Sequence, residues 1–224
     1  MAKRVGTKHR SPRGAHPARR PQQERGEKRV EEILDAAEAV IAEVGVEAAT
    51  TNAIAERAAA SVGSLYHFFP NKEAIVRALS ARYEQILTGI KSASLSPDAA
   101  GLSVRAMVDG IVDPFARFMT ERPAYLEVFH ATQDPRQPWC LNQQFHQGIV
   151  DLVEGLMRAR APDVEPGYRR FQATFAVEYV HRMLEAAWAQ PPAMRQAMID
   201  ELKRVFILHA EMIQQRRDPL AESA

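Results

Sequence analysis

The sequence predicts an all-α protein, with a small three-helix head at the N-terminal end and a larger helical bundle behind it. Three observations predict this. Apolar residues recur at intervals of three and four from about residue 27 to residue 215. No stretch alternates apolar and polar residues for long enough to make a strand. Pro, Gly, Ser and Asn cut the chain into pieces of ordinary helix length, giving roughly nine helices.

Taken in order, Ile33, Leu34, Ala37, Val40, Ile41 and Val44 share one face of a first helix, and Gly45 suits its end. Thr50 and Thr51 are N-cap types for a short second helix to about Ala58, and Ser61 can cap a third, "VGSLYHFF", which Pro70-Asn71 ends. A fourth helix runs from Lys72 to about Ala93, with Ile75, Val76, Leu79, Tyr83, Ile86, Leu87 and Ile90 on one stripe. After the loop "SASLSPDAAG", the apolar stripe from Val104 to Met119 marks a helix that Pro114 should kink or break. "PAYLEVFHAT" is a shorter helix, "QDPRQP" a loop, and residues 139–160 a helix that "APDVEPG" ends. Two long helices follow, at about 167–189 and 193–215, separated by Pro191-Pro192.

The 224 residues are 46% hydrophobic and 25% charged, as in an ordinary globular protein. A single cysteine, Cys140, excludes an internal disulfide and fits a reducing compartment, so a cytoplasmic location is expected. No apolar run is long enough for a membrane span, and no apolar segment follows Arg19-Arg20 to make an export signal. The net charge of +1 hides an asymmetry: residues 1–29 hold ten Lys or Arg against Glu24 and Glu27, and the remainder of the chain is net acidic. Residues 1–26 are poor in apolar side chains and carry Pro12, Pro17 and Pro21. They read as a disordered basic tail, either a polyanion-binding arm or a solubilising one.

The stretch "SVGSLYHFFPNKEAI" crowds Tyr66, His67, Phe68 and Phe69 into one short element. Preceded by "TTNAIAERAAA", it has the plan of a helix-turn-helix, whose second helix enters the DNA major groove. Small Ala55 and Ala58 let the two helices approach, and Ile54 and Leu65 can bury against the first helix. Ser61, Gly63 and Ser64 keep the front of the short helix narrow. Tyr66 and His67 supply donors, Phe68 and Phe69 anchor the helix, and Lys72 stands at the next helix start, where phosphate is favoured.

On "TTNAIAERA", "SVGSLYHFF" and "PNKEAI", the segment from about Ile33 to Leu79 resembles the TetR family of bacterial transcriptional regulators. The resemblance implies a helix-turn-helix DNA-binding head at 27–72, a helical effector-binding and dimerisation bundle at 73–216, a short C-terminal tail at 217–224, and a homodimer. It also implies a DNA-contacting set of Thr51, Ser61, Val62, Gly63, Ser64, Tyr66, His67 and Lys72, a double-stranded operator as partner, and a ligand-responsive repressor. One departure is that Ala59-Ala60 stands where the family usually has Gly-Val. If that turn requires positive φ, alanine costs about 1 kcal/mol there.

For the bundle, the resemblance implies an effector pocket among its aromatic and Met residues. Phe115, Met119, Phe129, Phe171, Phe175 and Tyr179 are the candidates, for an apolar or amphipathic small molecule. Val177, Val180, Leu184, Ala187, Leu202, Val205, Phe206 and Ile213 give the last two helices apolar stripes suited to dimerisation. Glu127-x-x-His130 and Glu178-x-x-His181 match half of a helical di-metal constellation. Two copies fall short of that site, so neither a metal, a cofactor nor an enzyme is expected. An effector-independent DNA-binding protein remains the alternative reading.

Overall fold

A computed structural model describes residues 20–132 and 142–215. Among these, the elements are α1 (Arg20–Ala48), α2 (Thr51–Arg57), α3 (Val62–Phe68), α4 (Lys72–Ser94), a 3₁₀ turn at Pro97–Gly101, α5 (Val104–Glu121), α6 (Tyr125–Ala131), α7 (Asn142–Arg160), α8 (Pro166–Trp188) and α9 (Pro192–Gln215). The fold is all-helical, as the sequence predicts.

Local chemistry sets the boundaries. Thr50, Ser61, Asn71 and Ser103 each accept a backbone N–H three residues on, at 2.8 to 3.2 Å, which satisfies donors that a helix start leaves open. Glu165 caps α8 through the N–H groups of Gly167 and Tyr168, and these bonds hold its carboxyl below the ordinary range. Gly45 takes φ +77°, which turns the end of α1 out of helical geometry.

Three expectations need correcting. α1 begins at Arg20, so residues 20–26 are helical rather than part of a tail; residues 1–19, 133–141 (with Cys140, the expected loop and the first residues of the helix expected at 139–160) and 216–224 (with the expected C-terminal tail) lie outside the described set. Pro114 does not break α5, which continues to Glu121. Proline lacks only its own N–H and disturbs the carbonyl four residues back, a loss that a helix packed on both sides can absorb. Val44 leaves the buried stripe and is 52% exposed.

The head closes around Ile33, Ala37, Ile41, Ile54, Leu65, Ile75 and Leu79, all almost fully buried. Ile54 and Leu65 pack where expected, Phe69 is buried, and Phe68 packs partly against the same core. α4 belongs to both regions: Ile75, Val76 and Leu79 fill the head, and its later turns face the bundle. A polar node ties the regions together. Buried Glu38 of α1 accepts from Arg82 of α4 at 3.1 Å and from Arg122 after α5 at 2.9 Å. Arg82 also reaches Asp35 at 2.6 Å.

Candidate DNA-reading face and effector pocket

α3 presents one side outward. Leu65 is buried beneath it, whereas Ser61, Val62, Gly63, Tyr66 and His67 are exposed and Ser64 is half-buried. The Ser61 hydroxyl oxygen accepts from the Ser64 N–H at 3.1 Å, which leaves its O–H to donate outward. A Cβ at Gly63 would meet nothing within 4 Å, so the space in front of it is open to another molecule's backbone. Thr51 Oγ1 and Tyr66 Oη lie 3.2 Å apart, joining the start of α2 to α3 and leaving two hydroxyls side by side on the surface. Seven of the eight predicted DNA-contacting residues therefore gather on one end of the head.

Lys72 is placed differently. Its Nζ donates to the carbonyls of Val46 at 3.0 Å and Glu47 at 2.9 Å. The ammonium satisfies the open carbonyls at the end of α1, and its first role is to tie α1 to α4. The sequence signalled a free cation because a fold-back of twenty-five residues is not visible in a local pattern.

Arg29, which in the sequence figures only in the basic charge of residues 1–29, is placed with a structural role as well. Its guanidinium donates to Ala58 O at 3.2 Å and Ala59 O at 3.1 Å, and pairs with Glu32 at 2.7 Å. Those two carbonyls belong to the α2–α3 turn. Ala59 there has φ +47°, so the strain expected of alanine in place of glycine is present. No nearby motif marks Arg29, which lies 29 residues from Ala58 in the chain.

In the bundle, α4 to α9 enclose a cavity of about 440 Å³, within the range of small-molecule sites. Its wall is largely apolar: Leu87, Ile90, Met107, Ile111, Phe115, Phe129, Ile149, Val153 and Phe206 contribute. Of the six pocket candidates, Phe115 and Phe129 line this cavity. Met119 is not; it is buried in the core beside the cavity. Phe171, Phe175 and Tyr179 are not on it either. They form a ladder of rings along α8, with Phe171 60% and Phe175 44% exposed and Tyr179 against Phe206. Periodicity marks α8 as apolar without saying which of its faces meets the cavity.

Polar groups on the wall include His146, paired with Glu178 at 3.1 Å, and His181, whose Nε2 is buried against the Phe129 ring without a hydrogen-bond partner among the described residues. Burial first, and Arg182 next, push the His181 pKa below its ordinary value, so the ring is neutral at pH 7. Tyr83 also lines the cavity, stacked edge-on to Phe118 and Tyr125, while its hydroxyl is buried beside Glu38. Burial and that carboxylate both raise its pKa. The two Glu-x-x-His pairs do not converge: His130 pairs with Glu185 at 2.7 Å, and Glu178 with His146. Among the described residues, no three His, Cys, Asp or Glu side chains are grouped to hold a metal, and no helix is long and apolar enough to cross a membrane.

Outside the cavity, α8 and α9 expose Phe171, Phe175, Val205, Leu208 and Met212, with Leu208 63% exposed. Val205 is on this face. Leu184, Ala187, Leu202 and Ile213, expected in a dimer stripe, are instead buried within the protomer.

Comparison with known proteins agrees with both halves. Residues 33–79 match the family model described as bacterial regulatory proteins, tetR family, and residues 103–207 match the tetracyclin repressor-like C-terminal domain. The HTH-type transcriptional repressor KstR of Mycolicibacterium smegmatis is 35% identical over 96 residues, 42% of this chain and 45% of that protein. The chain thus aligns with less than half the length of the curated relatives it matches. A TetR-family regulator from Streptomyces coelicolor superposes with a TM-score of 0.57 at 22% identity, over 83% of this chain and 99% of that one. FadR from Bacillus subtilis, solved with stearoyl-CoA, superposes at 0.53 and 18% identity, over 79% and 97% of the two chains. These two likenesses establish the fold. With matching models at the head and across most of the bundle, the chain belongs to the TetR family of bacterial regulatory proteins.

Proposed function

We propose that the protein is a ligand-responsive transcriptional repressor that leaves a near-palindromic operator when a small molecule fills its bundle cavity. The observation that carries this reading is α4. One continuous helix supplies head core at Ile75 and Leu79 and cavity wall at Tyr83, Leu87 and Ile90. A ligand that shifts its later turns also shifts the head, by as much as its differential affinity for the two arrangements allows.

In this reading the protein acts in the cytoplasm as a homodimer through the exposed rings and aliphatics of α8 and α9. Each α3 enters a major groove with Val62, Gly63, Ser64, Tyr66 and His67 foremost, assisted by Thr51 and Ser61. The six Lys and Arg of residues 1–19 add phosphate contacts without base preference. The effector is apolar or amphipathic, because most of the wall's exposed area is hydrocarbon, interspersed with charged side chains such as Glu84, Lys91, Arg160 and Arg182.

The test has two steps. Bound-DNA selection should yield a two-fold symmetric duplex. A thermal-shift screen of lipids, acyl-CoA esters, aromatics and drugs should then find a ligand that lowers affinity for that duplex. A preferred duplex with no ligand able to weaken it would favour an effector-independent DNA-binding protein.

A further inference from the structure

We propose that Arg29 is a positioning residue for DNA reading: from α1 it clamps the α2–α3 turn and so fixes the angle at which α3 is presented. This rests on the head being a DNA reader, but the clamp itself is independent of what α3 reads.

The turn is short and its conformation is demanding. Ala60 N–H bonds Ala55 O at 2.9 Å and Ala59 N–H bonds Glu56 O at 3.0 Å, the pattern of a helix end that passes through a left-handed residue. Glycine is the usual occupant of that position because it lacks a Cβ, and here alanine holds φ +47°. A strained residue persists where its surroundings over-determine it. The turn's own amide bonds provide part of that constraint, and Arg29 provides a second part from outside. Its two Nη atoms meet the consecutive carbonyls of Ala58 and Ala59, and Glu32, one helical turn away, fixes the guanidinium. A planar guanidinium fixes the angle between its N–H donors and so holds its two acceptors in a set relation, whereas the three donors of a shorter-reaching ammonium rotate about its stem. Three residues past the strained alanine, α3 begins at Val62, so a small rotation at Ala59 swings Val62, Tyr66 and His67 together.

A competing role is a direct phosphate contact by the same cation. The two roles separate experimentally. The probes are the tightest duplex from selection with the wild-type protein and a random duplex of equal length, each titrated at several salt concentrations. The variants are Arg29→Met, Arg29→Lys and each of them combined with Ala59→Gly. Positioning predicts that Arg29→Met weakens the selected duplex roughly tenfold and the random duplex less than about twofold, the net worth of one or two hydrogen bonds felt by one class of contact. It also predicts an unchanged salt slope, no rescue by lysine, and a smaller loss once Ala59 is glycine. A phosphate role predicts equal losses on both duplexes, rescue by lysine, and a slope shallower by about 0.9 per subunit. That result, or no loss at all, overturns the proposal.

Amide hydrogen exchange without DNA supplies an independent reading. In Arg29→Met, the Ala60 and Leu65 amides should exchange faster while those of α4 keep wild-type rates; unchanged exchange at Ala60 also overturns the clamp. If selection returns no preferred duplex, the DNA-reading proposal fails, and exchange alone decides the clamp.

Discussion

The head and the bundle are built from the same kind of helix but finished differently. In the head, the apolar side chains close on one another, each short helix start has its cap, and Arg29 and Lys72 occupy carbonyls that would otherwise be open. The bundle keeps a cavity of about 440 Å³, an unpartnered imidazole nitrogen on its wall, and a ladder of exposed rings outside. A region whose apolar side chains close on one another and whose turn carbonyls are occupied holds one shape, even with Glu38 Oε1 buried and unpartnered among the described residues. A region with unfilled space and uncovered apolar surface can be completed by other molecules, in the proposed function a ligand and a second copy. In the proposed function, that difference lets one chain combine a rigid reading surface with a responsive body.

The largest effect should come from charges placed on the buried and on the exposed faces of the α8 and α9 pair. Leu184 is fully buried, so Leu184→Glu should unfold the bundle, at a cost of several kcal/mol for an unpaired buried carboxylate. Phe171→Glu combined with Leu208→Glu, on the exposed face, should leave the melting of the protomer close to native and shift sedimentation from dimer to monomer. A folded Leu184→Glu protein, or a dimer surviving the double change, would count against the assignment of faces.

Next in size is a pair of truncations. Leu65→Ala empties a filled site beneath α3 and should cost about 2–5 kcal/mol in denaturant unfolding and abolish DNA binding. Met107→Ala, on a wall that already borders empty space, should cost less than about 1.5 kcal/mol, because few packed atoms lie beyond it. Equal costs would mean that the cavity is not empty in solution.

A smaller effect should come from Ala59→Gly. Relief of the positive φ should stabilise the head by about 1 kcal/mol, offset in part by the freer unfolded chain. The same change at Ala58, which has φ −78°, should give no gain. Chemical denaturation of both variants checks this.

The smallest effect expected is on pH dependence. Burial lowers the pKa of His181 in the folded bundle, whereas the unfolded chain takes up a proton near the ordinary histidine value. The unfolded state therefore binds more protons as pH falls below about 7, so stability declines through that window and levels off below the folded pKa. The decline cannot exceed about 1.4 kcal/mol per pH unit for one histidine. His181→Gln should flatten the decline between pH 7 and 5.5; an unchanged slope would place the effect on His209, whose pKa burial also lowers.

Legible in the sequence alone were the helices, most of their boundaries and the exposed face of α3. Those depend on residues within a few positions of one another: Thr50, Ser61 and Asn71 cap their own helices, Gly45 ends one, and the period of the apolar residues selects a face. It also revealed the anomaly at Ala59, because a left-handed turn is a local demand. Only the tertiary structure decided what each apolar face meets. α8 has apolar residues nearly all round, so periodicity could not separate Leu184, turned into the core, from Phe171 and Phe175, turned outward, or from Val177 and Val180 on the cavity wall. Cations were equally opaque, since a lysine or arginine side chain reaches whatever the fold brings near. Lys72 closes on α1 across 26 residues and Arg29 on the α2–α3 turn across 29, and both lost their expected freedom to carbonyls that only the folded chain places within 3.2 Å.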